Sequence, residues 1–108
     1  RKLQSMIIAD RAFALYEGSK TLSNVVAVIV DFRYNATQAT YLCEIQPAVV
    51  AATTDFHGSY THLITKAAVD AKTGTGTNPS DKLANQVDQV VLDYLDAITE
   101  NAAVAFSI

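Results

Sequence analysis

The sequence predicts an all-α domain, a compact antiparallel bundle of four or five short helices, and three observations carry that prediction. Leu83, Val87, Val90, Val91, Tyr94, Leu95 and Ile98 fall on one broad face at helical spacing. Tyr60, Leu63, Ile64, Ala67, Ala68 and Ala71 repeat that pattern earlier in the chain. Residues 2–17 are dense in good helix formers, among them Leu3, Gln4, Met6, Ala9, Arg11, Ala12, Ala14, Leu15 and Glu17. No linker or internal repeat divides the chain, so residues 1–108 are expected to form a single helical domain.

The last helix is the best marked. Asn78-Pro79-Ser80-Asp81 closes a Gly/Thr stretch, and Ser80 or Asp81 is placed to cap the free amides of the turn that follows. Lys82, Asn85, Gln86, Gln89, Asp93, Asp96 and Glu100 take its polar side, with Leu92 as the apolar exception among them. The preceding helix starts at Gly58-Ser59 and ends in Lys72-Thr73-Gly74-Thr75-Gly76-Thr77, giving an antiparallel pair. Its Ala-lined face permits close helix approach. The first helix is stopped by Gly18, but its apolar residues do not keep to one stripe. Leu3, Ile7 and Ala14 share a side, while Ile8 and Leu15 spread it one way and Met6 and Phe13 the other. A helix that is greasy on several sides is usually surrounded by protein.

Residues 22–54 support two readings. The run Asn24 to Tyr34 is β-branched and aromatic, and with Thr40 to Ile45 it makes a β-hairpin; an α+β domain with a hairpin near residues 24–45 is the alternative architecture. The helical reading places Leu22, Val25, Val26, Ile29 and Phe32 along one side and Tyr41, Ile45, Ala48, Val49 and Ala52 along another, with Pro47 at a kink or a first turn. Neither strand alternates cleanly and two strands alone make a poor sheet, so helices are the expectation here too.

Charge narrows the functional classes. Asp and Glu outnumber Lys and Arg 11 to 8, a formal net charge of -3. Arg1, Lys2, Arg11, Lys20, Arg33, Lys66, Lys72 and Lys82 are scattered among acids, whereas phosphate binding needs convergent cations, so no nucleic-acid partner is expected. The longest strongly apolar run, Val25 to Val30, is far short of the roughly 20 residues of a membrane-spanning helix. Only 18% of residues are charged, against about 25% in ordinary soluble domains, which makes the surface cheaper to desolvate in an interface.

Chemical motifs are sparse. His57 and His62 lie too far round a helix to converge on a metal, and one Cys with two His is too small a ligand set for structural zinc. Cys43 beside His57 makes a weak nucleophile pattern; a buried apolar thiol is the ordinary reading, and an intermolecular disulfide through Cys43 the extracellular one. Asn35-Ala36-Thr37 is a formal glycosylation sequon. Asp88, Asp93, Asp96 and Glu100 read as a solvated helix face, and Gly74-Thr75-Gly76-Thr77 lacks the Lys-Ser/Thr that completes a phosphate loop. No cofactor is implied. The expectation is therefore a non-catalytic protein–protein interaction or assembly subunit, a homo- or hetero-oligomer packed through apolar helix surfaces. Its candidate interface comprises Ile8, Asp10, Arg11, Phe13, Leu92, Val104, Phe106 and Ile108. The alternative is a small apolar ligand-binding helical protein, with Tyr16, Phe32, Tyr34, Tyr41, Tyr60 and Tyr94 lining a pocket between helices.

Overall fold

The computed structural model describes residues 3–16, 20–22, 27–52 and 56–108. It is an α+β fold, not a helical bundle. Strands β1 (Leu3–Ala9), β4 (Ala27–Asn35), β5 (Thr40–Ala48), β6 (Tyr60–Thr65) and β7 (Phe106–Ser107) form an antiparallel sheet in the order β6-β5-β4-β1-β7. Strands β2 (Phe13–Tyr16) and β3 (Lys20–Leu22) pair separately. The helices are α1 (Lys66–Asp70) and α2 (Pro79–Ala97), and short 3-10 turns occupy Val50–Ala52 and Thr99–Asn101.

The long hairpin predicted as the alternative is the backbone of the sheet. β4 and β5 pair from Ala27↔Ala48 to Asn35↔Thr40. At the turn, the Asn35 side-chain carbonyl accepts from the Thr37 and Gln38 amides, and Ala39 takes the left-handed conformation at φ 50°. Pro47 is no kink but a strand residue opposite Val28. Its carbonyl accepts the His57 amide, so its nitrogen points the same way, off the β4 ladder and past the end of β6. Proline therefore removes no hydrogen bond from the hairpin.

The expected first helix is also a pair of strands. β1 lies between β4 and β7, with Ile7↔Val28 and Ala9↔Phe106 in register. Its many-sided greasiness is that of a strand with two apolar faces: Ile7 and Ala9 are buried on one, while Ile8 is half-buried and Met6 exposed on the other. Helix propensity spans under about 0.7 kcal/mol per ordinary residue, and the pairing with β4 outweighs it. Gly18 lies outside the described residues.

The expected helix from Ser59 to Ala71 is strand first and helix second. Tyr60 to Thr65 pair with β5 (Tyr60↔Ile45, Ile64↔Tyr41), and only then does the Thr65 hydroxyl accept the Ala68 amide to start α1. α2 keeps its predicted place. Asn78, rather than Ser80 or Asp81, is the cap, accepting from the Asp81 amide, with Pro79 in the first turn. Val87, Val91 and Leu95 pack against Ile7, Val28, Val30, Phe32, Cys43 and Ile45 in one core; each such aliphatic side chain contributes about 1.5–3 kcal/mol on burial. Leu83, Val90, Leu92 and Tyr94 are partly buried against that core, so Leu92 is not an outward exception. The apolar side of α2 is thus spent inside the molecule. The stripe that suggested association through apolar helix surfaces covers the sheet.

Candidate functional site

Alternation along a strand sends successive side chains to opposite faces, and the register sets which of them meet. One face of the sheet is covered by α2. On the other, the register places Asp31 directly opposite Glu44 and Glu44 opposite Thr61, a row running across β4, β5 and β6. Two residues along, Arg33 faces Leu42 and Leu42 faces Leu63. Asp31, Phe32, Arg33, Leu42, Glu44 and Thr61 line an open groove of about 100 Å³ between these rows.

The groove holds an electrostatic tension. Like charges directly opposite on neighbouring strands destabilise, by roughly 0.2–1 kcal/mol, and Asp31 and Glu44 are so placed. Glu44 is half-buried and makes no hydrogen bond or ion pair among the described residues. Arg33 lines the same groove without an ion pair to it. The face is open at Leu63, 58% exposed beside the groove; Met6, 40% exposed, lies on β1 opposite Ile29, away from the groove. Its other end is closed, with Ala27, Ile29, Gln46 and Ala48 buried.

The opposite face carries an arrangement that looks like nucleophile chemistry, and its details argue against that use. The histidine opposite Cys43 is His62, whereas His57 is exposed and its amide holds the Pro47 carbonyl. Cys43 is 0% exposed, and burial, with the Asp88 charge in second place, pushes its thiol up to about 12. A thiol so held is not a thiolate at neutral pH, and no described hydrogen bond joins it to His62. Instead the His62 ring stacks on Tyr94, centroids 4.2 Å apart at 23°, and Tyr60 lies nearly parallel to Tyr94 at 6.0 Å. Tyr94 donates its hydroxyl to the Leu15 carbonyl at 3.0 Å. Burial lowers the His62 pKa, so the ring stacks as a neutral aromatic. Among the described residues no three His, Cys, Asp or Glu side chains cluster to hold a metal, and no helix is long and apolar enough to cross a membrane.

The residues singled out in the sequence do not converge. Ile8 is half-buried in β1 between Ala27 and Ser107. Asp10 and Arg11 form an exposed ion pair at 3.1 Å, and Asp10 also accepts the Ala105 amide at 2.9 Å. Those two contacts, Arg11 first, hold its carboxyl below the ordinary value. They clasp the C-terminal segment onto its own chain. Phe13 is buried, Phe106 meets it edge-on at 5.5 Å, and Val104 is half-buried against the core; Ile108 stays 53% exposed. A Cys43 disulfide to another chain conflicts with complete burial of the sulfur. Asn35 is exposed at the hairpin turn. Asp88, read as part of a solvated face, is buried, while Asp93, Asp96 and Glu100 are exposed. Of the six aromatics expected to line a pocket, Phe32 and Tyr41 pack on each other in the core and Tyr34 against Tyr41; Phe32 alone of the six also borders the groove. The Tyr16 side chain lies outside the described residues.

The groove residues Asp31, Leu42, Glu44 and Thr61 were not singled out by sequence. A signal existed: a hairpin turning between Asn35 and Thr40 sets Asp31 opposite Glu44 by register alone. Comparison with protein-family models, with curated proteins and with solved structures found no match for this chain.

Proposed function

We propose that the chain is a non-catalytic interaction domain that binds a protein partner on the open face of its sheet. One observation carries the reading. α2 covers a single face, and the other face presents a half-buried Glu44, without an ion pair or hydrogen bond among the described residues, in a groove flanked by exposed Leu63. A half-buried charge without a partner is a cost that a ligand's cation offsets, and an exposed large aliphatic beside it offers area to bury. The test is selection of a random displayed-peptide library on the protein, with binders mapped by backbone amide shifts. Binders that shift Asp31, Leu42, Glu44 and Leu63, and that lose affinity for Leu63→Asp, support the reading. Binders that all map to the exposed side of α2 or elsewhere overturn it.

A second reading, a small-molecule binder, is favoured by the existence of the groove itself. Its volume of about 100 Å³ is below the roughly 300–1,000 Å³ of drug-sized pockets, and its charged lining suits a small amine better than a wholly apolar ligand. Titration with a simple alkylammonium separates it from the first: saturable shifts confined to the groove favour the small ligand.

A further inference from the structure

We infer that the partner is an extended peptide segment that adds antiparallel to the free edge of β6 and carries the pattern apolar-x-Lys, its lysine reaching Glu44. The inference rests on the open-face reading above and names the partner's chemistry.

β6 pairs with β5 along one edge and with no described strand along the other. Exposed strand edges in natural proteins are usually blunted by lysine, proline or a bulge. Tyr60-Thr61-His62-Leu63-Ile64-Thr65 holds no charged residue and no proline, and its register with β5 is unbroken. Such an edge is a template for strand addition, where main-chain hydrogen bonds supply affinity and alternate side chains supply selectivity. Every pairing in this sheet is antiparallel, so an added strand that continues the pattern runs antiparallel to β6.

The groove then specifies the side chains. Strands lie about 4.8 Å apart, so the added residue opposite Thr61 sits roughly 10 Å from the Glu44 backbone, across a small threonine. The four-carbon stem of lysine and the glutamate side chain together span that gap over the sheet face. The added residue opposite Leu63 lies on the same face two positions earlier in an antiparallel strand, and an apolar side chain there covers Leu63.

The experiment uses the full chain and the blocked peptide Thr-Val-Ile-Thr-Lys-Val-Thr, followed by amide shifts and by hydrogen exchange of the β6 amides. Saturable binding, slowed exchange in β6, and affinity reduced at least about fivefold by Glu44→Gln or by Lys→Gln in the peptide are expected. A Glu44→Lys chain that prefers the Lys→Glu peptide establishes the charge contact. Peptides that protect β6 equally well with Lys, Gln or Glu at that position overturn the inference while leaving the open-face reading standing. If neither this series nor library-selected peptides perturb β6 or the groove, both fail. Glu44 and Leu63 lie on an open face, and thermal unfolding of each variant verifies that the fold is kept.

Discussion

Asn101 offers the sharpest test of the architecture, because one buried side chain ties three parts of the chain together. It is 1% exposed in the 3-10 turn after α2. Its side-chain carbonyl accepts the Ala14 amide at 2.6 Å, and its amide nitrogen donates to the Ala14 carbonyl at 2.8 Å and to the Leu95 carbonyl at 3.0 Å. Asn101 thus acts towards Ala14 as a neighbouring strand would, supplying both a donor and an acceptor. Asn101→Ala strands two backbone groups, the amide and the carbonyl of Ala14, each costing about 1–3 kcal/mol when buried without a partner, while the Leu95 carbonyl keeps the Ile98 amide. Allowing for some water entry, the expected loss is about 2–4 kcal/mol, against a total of roughly 5–15 kcal/mol for an ordinary domain. With a urea slope of about 1.5 kcal/mol/M, the unfolding midpoint falls by roughly 1–3 M. Asn101→Asp is nearly isosteric but sets a carboxylate oxygen against two carbonyls. It is expected to be worse than alanine at pH 7 and to recover as acid restores a proton to donate. A midpoint drop below about 0.5 M for alanine, or aspartate tolerated better than alanine at neutral pH, refutes the reasoning.

Three further outcomes follow from the core and the turn. His62 has a folded pKa lowered by burial, so the unfolded chain binds its proton first; stability is fully present above about pH 6.5 and is lost as pH falls from there through the folded value. Urea midpoints between pH 7.5 and 5 should show that fall, and it should flatten in His62→Phe if the ring stacks as described. Cys43, with its thiol raised to about 12 and no exposed surface, should react with an aromatic disulfide reagent at pH 8 at least about a hundredfold more slowly than in urea; native labelling at the unfolded rate would contradict its burial. Ala39 holds φ 50°, where a Cβ costs about 1–2 kcal/mol and glycine costs less. Ala39→Gly should raise Tm by up to about 5 °C and Ala39→Val should lower it, as read by differential scanning calorimetry.

Legibility in the sequence tracked the distance between interacting residues. α2 was readable because its cap, Asn78-Pro79, and its stripe, Val87, Val91 and Leu95, are all local. β1 was not, because Leu3, Met6 and Ala9 are good helix formers whose strand partners lie far along the chain, with Ile7 pairing Val28. The segment from Tyr60 to Ala71 misled in a different way. Tyr60 and Ile64 sit at a spacing of four, which satisfies a helical stripe and a strand face alike, and the Ala-rich half that follows is helical in fact. The hairpin was visible as a run of β-branched residues, but its acceptance depended on a sheet that β1 and β6 supply from elsewhere. The candidate site needed that hairpin, since Asp31 and Glu44 meet only through it.

The excess of apolar side chain is resolved by the sheet, and the resolution moves the argument for a partner. As helices, residues 2–17 and 22–54 have more greasy sides than a short chain can cover. As strands, they offer two faces. α2 covers one of them with Val87, Val91 and Leu95, and the C-terminal segment folds back to add β7 and set Phe106 against Phe13. Those two elements account for the helix and tail surfaces that had called for a second molecule. They do not account for Leu63 and the Glu44 groove on the far face, nor for the edge of β6 beside them, which pairs with no described strand. A ligand that answered only the apolar exposure would leave Glu44 half-buried and unpaired, and one that answered only the charge would leave Leu63 in water. The edge, the carboxylate and the leucine lie within one strip of sheet, so an extended segment with one cation and one apolar side chain satisfies all three together.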